Sequence, residues 1–131
     1  MHENFFHKVK VYYEDTDSGG VVYYANYLKF FERARTEFLK SLNLSNKMLL
    51  TNNGVLIVVK SCNIEYIKSA KLEDELEIIS SVTSKTKTSF IMKQVVKLDK
   101  VLINQAETHL VIVNQEGKPV QIPKILNDFL N

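Results

Sequence analysis

The fold is decided by residues 27–41, which read YLKFFERARTEFLKS. Apolar side chains recur in this stretch with the spacing of an amphipathic helix, while charged residues mostly occupy the opposite side. Asn26, or a residue just before it, is the natural N-cap, and the helix is predicted to end near Ser41. A helix with so broad an apolar stripe needs a sheet to cover it. The residues of the stripe are Tyr27, Leu28, Phe30, Phe31, Ala34, Phe38 and Leu39.

Strand patterns flank this helix. Residues from Phe6 to Glu14 alternate, with His7, Val9, Val11 and Tyr13 predicted to share the inward face. Further helical turns are predicted at Ser45–Asn52 and from Pro123 to Leu130. The links between the later strands are short, which favours antiparallel neighbours. The sequence therefore predicts one α+β domain over residues 1–131, an antiparallel sheet of five strands wrapped around the helix. The four later strands are predicted at Val55–Tyr66, Glu75–Ser84, Ser89–Leu98 and Leu102–Val113.

The composition excludes several classes of function. Seventeen Lys and Arg against fifteen Asp and Glu give a net charge of +2 over 131 residues. That balance does not suit wrapping duplex nucleic acid or docking on an anionic membrane. The single cysteine, Cys62, excludes an internal disulfide framework and a cysteine-rich zinc site, and it suits a reducing cytosol. With no secretory signal pattern and no apolar run long enough to cross a bilayer, we expect a cytoplasmic protein without membrane insertion. The three histidines lack metal-ligand spacing, so no metal is expected; they are His2, His7 and His109.

Polar and special residues concentrate between Glu14 and Asn26, just ahead of the helix. The start of a helix leaves backbone N–H groups unpaired and carries a partial positive charge, so it stabilises anions. Gly19 and Gly20 allow the backbone to approach a ligand closely. A carboxylate beside such an N–H group forms a plausible acyl-transfer site. On spacing alone, however, Asp-Thr-Asp-Ser-Gly-Gly is more often a tight polar turn, and it lacks the later ligands of a calcium loop.

A resemblance favours the catalytic interpretation. Residues 11–27, VYYEDTDSGGVVYYANY, resemble the signature of the 4-hydroxybenzoyl-CoA thioesterase family, and residues 31–37, FERARTE, narrow the similarity to the YbgC-type acyl-CoA thioesterases. The similarity extends over nearly the whole chain. It implies a hotdog fold, in which an antiparallel sheet wraps a long helix. It also implies subunits that pair through their sheets, with active sites at the dimer interface and often as tetramers.

The resemblance also assigns site residues. The catalytic carboxylate of the family falls on Asp17, and the backbone N–H that binds the thioester carbonyl belongs to Tyr24. YbgC-type sequences usually have His at the position of Tyr24, which leaves the backbone role intact but alters what the side chain does there. Contacts to substrate and CoA are predicted at Gly20, Val21, Lys87 and Ser89.

The expected function is therefore hydrolysis of a short-chain or aromatic acyl-CoA to free acid and CoA, without a cofactor. Asp17 acts either as nucleophile or as general base. Two alternatives stay open: a non-catalytic acyl-CoA-binding or scaffold protein, and an acyl-carrier-protein dehydratase. Dehydratases of this fold depend on a His paired with an acidic residue, and the loop has no His.

The neighbouring residues are predicted to have structural roles. Glu14 and Asp15 are expected to be solvated carboxylates at the strand end, with Asp15 also able to shape the loop. Asn26 is expected to cap the helix, and Tyr13 and Cys62 to be buried. Arg33 and Arg35 are expected to form pairs at the surface or at a subunit interface.

Overall fold

The protein is described by a computed structural model that covers residues 4–130, so His2 lies outside the described residues. One long helix, two short helices and two 3-10 turns accompany five strands. Among residues 4–130, no helix combines the length and the apolar composition that spanning a bilayer requires. In chain order the elements are β1 (Phe5–Lys10), 3-10 turns at Tyr13–Asp15 and Tyr24–Asn26, α1 (Tyr27–Ser41), α2 (Asn46–Asn53), β2 (Leu56–Tyr66), β3 (Glu75–Lys85), β4 (Ser89–Leu98), β5 (Val101–Val113) and α3 (Lys124–Asn127).

The five strands form one sheet in the order β1-β3-β4-β5-β2, and every neighbouring pair is antiparallel. Register shifts between Val59 and Ser61 in β2, and between Val82 and Ser84 in β3, mark β-bulges, which increase the local twist of a sheet. The twisted sheet packs one face against α1. This is the α+β arrangement predicted from the sequence patterns, and it is the hotdog fold that the resemblance implies.

Helix α1 begins and ends where the sequence predicted. Its buried face is formed by Tyr27, Phe30, Phe31, Ala34 and Leu39, and the two phenylalanines are fully buried. Burying one such side chain contributes about 1.5–3 kcal/mol to stability. Leu28 was expected on this face, but it lies about 100° around the helix from Tyr27 and is 47% exposed.

The first strand is shorter than predicted. It ends at Lys10, and the chain turns at Tyr13–Asp15 instead of continuing to Glu14. His7, Val9 and Val11 do point inward, as the alternation indicated. Tyr13 lies beyond the last strand residue, and the turn rotates its side chain outward to 82% exposure. The prediction of a buried Tyr13 was therefore wrong, because alternation in sequence continued past the point where the strand ends.

The sheet has two ends that matter for function. At the first, Lys10 lies opposite Glu75 and Leu76 lies opposite Leu98; we call this the loop end, because residues 11–26 leave from it. At the other, Lys85 lies opposite Phe90; we call this the turn end, because it carries the β3–β4 turn. Between them β3 extends for ten residue steps, or roughly 30 Å.

Candidate active site

Residues 16–22 form a tight hairpin at the loop end. Thr16 pairs with Val22, and the Asp17 N–H donates to the Val21 carbonyl at 2.9 Å. The Gly20 N–H donates back to the Asp17 carbonyl at 3.1 Å, which closes a four-residue turn. Gly20 has a φ of +79°, a conformation that other residues adopt at a cost. The Asp-Thr-Asp-Ser-Gly-Gly segment is thus a defined turn with its second aspartate at the first corner.

The Asp17 carboxylate is held by its own loop. The Gly19 N–H donates to Asp17 Oδ1 at 2.8 Å, and no hydrogen bond from residues 4–130 reaches Oδ2. A Cβ placed on Gly19 would lie 3.3 Å from the same Oδ1, so glycine at this position avoids a close contact with the carboxylate. In the single chain the side chain is exposed to solvent. The loop therefore orients one carboxylate oxygen and presents the other outward.

Asp15 is buried, contrary to the expectation of a solvated carboxylate. Only 5% exposed, it accepts the Tyr12 N–H at Oδ2 and the Asn26 side-chain amide at Oδ1, both at 2.9 Å. Its carbonyl accepts the Tyr23 N–H at 3.0 Å. Asp15 therefore joins both arms of the hairpin to the start of α1, which agrees with a role in shaping the loop. Asp15 and Asp17 are two residues apart, and the sequence alone has no signal that shows which of them is buried and which is exposed.

Asn26 precedes α1 but does not cap it with its side chain. A 3-10 turn leads into the helix, so Asn26 already has helical backbone angles and its amide reaches Asp15 instead. The prediction of a side-chain cap was therefore wrong. The helical backbone begins earlier, at the 3-10 turn Tyr24–Asn26.

Tyr24 is the first residue of that 3-10 turn. The first N–H of a helical turn has no acceptor within it, and the dipoles of the turn and of α1 make this end electropositive. The Tyr24 side chain is 62% exposed and packs against Tyr23, with ring centroids 4.9 Å apart. The Tyr24 backbone N–H thus lies at an electropositive helical start, where an N–H group can stabilise an anion.

Tyr66, at the end of β2, was not anticipated in the site. Its hydroxyl donates to the Tyr24 carbonyl at 3.0 Å, and its ring lies 6.2 Å from Tyr24 and 5.9 Å from Tyr27. Partial burial raises the pKa of the Tyr66 phenol, with smaller contributions from Cys62 and Tyr24, so it remains a donor at neutral pH. An aromatic residue that closes a strand is too common for sequence reasoning to single out.

The other predicted contact residues divide between the two ends of the sheet. Gly20 and Val21 belong to the Asp17 loop: the Gly20 carbonyl accepts the Leu72 N–H at 3.1 Å, and Val21 pairs with Lys71. Lys87 and Ser89 lie at the turn end. They are separated from Asp17 by most of the length of β3, so one chain alone does not bring the two groups together.

At the turn end Ser89 is 7% exposed, and its hydroxyl lies 2.8 Å from that of Thr86. Lys87 is exposed between β3 and β4. Cys62 was expected to be buried but is half-buried in β2; it packs against the core, and its sulfur lies 3.4 Å from the Thr108 hydroxyl.

Comparison with known proteins supplies the class. Residues 11–130 match the model of the thioesterase-like superfamily. The acyl-CoA thioester hydrolase YbgC of Escherichia coli O157:H7 is 44% identical over 118 residues, which cover 88% of this chain and 87% of that protein. The acyl-CoA thioesterase YbgC of Haemophilus influenzae is 39% identical over 125 residues, or 95% and 92% of the two chains. The crystal structure of a probable thioesterase from Bartonella henselae superposes with a TM-score of 0.88 at 31% identity, covering 92% of this chain and all of that one.

The sheet wrapped around α1, with a carboxylate loop leading into the helix, defines a hotdog-fold hydrolase. The chain belongs to the thioesterase-like superfamily, and it is an enzyme that hydrolyses thioesters.

Proposed function

We propose that this enzyme hydrolyses the thioester of short-chain or aromatic acyl-CoA, with Asp17 as its catalytic carboxylate and the Tyr24 N–H as its oxyanion donor. One observation carries the proposal. The Gly19 N–H fixes the Asp17 carboxylate on a hairpin whose other arm continues directly into the Tyr24 turn. The names of the relatives support acyl-CoA as the substrate class.

Asp17 can act in two ways that lead to the same products. As nucleophile, a carboxylate oxygen bonds to the thioester carbon, the CoA thiolate leaves, and water then hydrolyses the mixed anhydride. As general base, the carboxylate takes a proton from a water molecule whose oxygen attacks the same carbon. Either route consumes one water and yields the free acid and CoA, so the reaction requires no cofactor.

The Tyr24 N–H stabilises the negative charge that develops on the carbonyl oxygen. Losing one such donor typically costs about 100- to 1000-fold in turnover. A backbone donor is retained with Tyr in place of the usual His, whereas the side chain now offers a phenol and an aromatic ring. The thiolate of CoA is a good leaving group, so no separate acid is needed.

A second copy of the chain would complete the site. β2 is an edge strand whose exposed apolar residues include Leu56, Val58 and Val59. An edge of this kind readily pairs with another strand. Antiparallel pairing of β2 with its copy about a two-fold axis places the turn end of one subunit beside the loop end of the other.

Lys87 and Ser89 of one copy then approach Asp17 of the other, where the Lys87 ammonium would bind a CoA phosphate. We therefore propose a homodimer as the minimal unit, with a homotetramer built from it.

The test measures CoA release from a panel of acyl-CoAs with a thiol-reactive dye. Wild-type protein is expected to release CoA, and Asp17→Asn to lose at least about 100-fold in kcat. Asparagine can still accept the Gly19 N–H, so the loop and the fold should persist. Glu14→Gln, which changes an exposed carboxylate three residues away, is the control and should keep full activity.

The outcomes separate the candidate functions. Unchanged turnover in Asp17→Asn would overturn the assignment of Asp17. Hydration of crotonyl thioesters without CoA release would indicate the dehydratase, and binding without turnover would indicate the scaffold protein. Sedimentation of the same preparations should show at least a dimer.

A further inference from the structure

A cavity of about 140 Å³ lies between α1 and the sheet, behind the start of β2. Its wall is mostly apolar, with Leu39, Ile57, Phe90, Met92 and Leu110 among the lining residues. A cavity of about 150 Å³ holds a benzene molecule, so this one accommodates about six carbon atoms. Asp17 does not line it.

Arg35 gives this apolar cavity a cation. It was expected in a pair at the surface or at an interface, but within the chain it is half-buried and its Nη1 donates to Gln94 Oε1 at 3.0 Å. Gln94 is fully buried, and its amide nitrogen donates to the Phe31 carbonyl and to the Ser80 hydroxyl, both at 3.0 Å. These bonds fix Gln94, and Gln94 in turn fixes the guanidinium.

The guanidinium has unused hydrogen-bonding capacity. It carries five N–H donors, and Gln94 occupies one. Among residues 4–130, no carboxylate oxygen lies within 4.0 Å of its nitrogens. Burial lowers the pKa of Arg35 and the nearby charge of Glu32 partly offsets this, but a guanidinium remains protonated at neutral pH. Glu32, which also lines the cavity, is exposed and accepts the Thr36 hydroxyl at 2.6 Å. Arg35 thus lacks an acceptor that matches its charge.

We propose that the cavity binds the acyl group of the substrate, and that Arg35 selects acyl groups with an oxygen acceptor, a carbonyl or a carboxylate, at their far end. The apolar wall takes the methylene or ring carbons, and the guanidinium donates to the terminal oxygen. A wholly apolar acyl group would fill the same volume but leave the half-buried donors of Arg35 without an acceptor, which is unfavourable.

This inference rests on the proposed function, because the cavity must lie beside a reacting thioester. Ile57 and Val59 line the cavity at the start of β2, and Tyr66, which bonds Tyr24, closes the same strand. In the antiparallel β2 pairing proposed above, the start of one strand lies beside the end of the other, at the strand spacing of about 4.8 Å. In that pairing, the cavity of one subunit would lie near Tyr24 of its neighbour.

Three acyl-CoAs of matched size and shape test the selection: 5-methylhexanoyl-CoA, 5-oxohexanoyl-CoA and glutaryl-CoA. They carry the same number of non-hydrogen atoms beyond the thioester carbonyl, and their ends are apolar, a neutral carbonyl and a carboxylate. A charge-assisted hydrogen bond predicts a kcat/KM about 10- to 100-fold higher for the favoured oxygenated substrate than for 5-methylhexanoyl-CoA. Comparing kcat/KM for 5-oxohexanoyl-CoA and glutaryl-CoA shows whether Arg35 prefers a carbonyl or a carboxylate.

Arg35→Met removes the donors but keeps the length of the side chain, and it should abolish this preference while hydrolysis of 5-methylhexanoyl-CoA continues. Arg35→Lys retains a charge and should keep part of the preference. Arg33→Met, at an exposed position on the same helix, is the control and should match wild type. Equal kcat/KM for all three substrates in wild type, or the same fractional loss for all three in Arg35→Met, would overturn the proposal.

A second measurement separates this inference from the proposed catalysis. Dissociation constants of the three acyl-CoAs are measured by calorimetry with Asp17→Asn and with the Asp17→Asn, Arg35→Met double variant. Tighter binding of an oxygenated acyl-CoA that depends on Arg35 supports the selection even if Asp17 proves not to be the catalytic carboxylate. The absence of any such difference refutes it, even if Asp17 proves to be the catalytic carboxylate.

Discussion

Asp15 and Asn26 are eleven residues apart and are joined by a buried hydrogen bond of 2.9 Å from the Asn26 amide to Asp15 Oδ1. This bond joins the two ends of the loop that carries Asp17, Gly20 and Tyr24, and it lies on the buried side of that loop. The loop is therefore fixed at its base by one aspartate, while the other, two residues on, stays exposed on the outer side.

Asp15→Ala should destabilise the protein, because it leaves the Tyr12 N–H and the Asn26 amide without their acceptor. An unsatisfied buried polar group costs about 1–3 kcal/mol. Urea denaturation should show a loss of this size, together with reduced hydrolysis. Glu14→Ala, at the adjacent exposed carboxylate, is the matched control, and an equal loss in both variants would contradict the role given to Asp15.

The two adjacent glycines should respond differently to alanine. Gly20 has a positive φ with open space around it, so Gly20→Ala should cost about 1–2 kcal/mol of unfolding free energy through backbone strain. Gly19→Ala adds a methyl group 3.3 Å from Asp17 Oδ1, so it should displace the carboxylate and lower kcat roughly tenfold. Denaturation and steady-state kinetics measure both effects. Identical profiles for the two variants would show that Gly19 does not serve the carboxylate.

Tyr66→Phe removes only the hydroxyl that positions Tyr24. The aromatic contacts remain, so the fold should be retained, and kcat should fall about fivefold, which corresponds to one hydrogen bond of about 1 kcal/mol. Because the Tyr24 N–H is proposed to act mainly in the transition state, KM should change little. A rise in KM at constant kcat would instead indicate that Tyr66 contacts the bound substrate.

Stability should depend on pH through Tyr27. Burial raises the pKa of its phenol above the usual value near 10; the Ala70 N–H opposes this, while Tyr66 and Asp74 add to it. The folded state then holds this proton more tightly than the unfolded chain does. The stabilisation is complete below pH 10 and is lost as the pH rises through the higher folded pKa. Urea titrations from pH 8 to about 11.5 should show the free energy of unfolding falling, with a smaller fall in Tyr27→Phe. Tyr13→Phe, at an exposed position, is the control; the same slope in wild type and Tyr27→Phe would exclude Tyr27 as the source.

Much of the fold could be predicted from local patterns. β4 has the predicted bounds, and β2, β3 and β5 differ by one residue at one end, because alternation and turn residues are signals carried by neighbouring positions. The overrun of β1 to Glu14 shows the weakness of that signal, since alternation continued where the backbone turned.

The site was less accessible to sequence reasoning. The burial of Asp15 depends on Asn26, and the environment of Arg35 depends on Gln94, 59 residues away. Asp17 lies near the start of β3 and Lys87 follows its far end, so most of the length of the strand separates the two residues. Such relationships arise only when distant segments pack together, and one sequence contains no local pattern for them.

Gln94 also restricts how α1 can rotate about its own axis. Apolar side chains on a helix can often repack in several ways of nearly equal energy, so apolar contacts alone specify the angle of a helix poorly. The bond from the Gln94 amide to the Phe31 carbonyl is directional and tolerates little rotation. The bond therefore helps to hold α1 in one orientation, and an apolar residue at position 94 would remove this directional constraint from the helix.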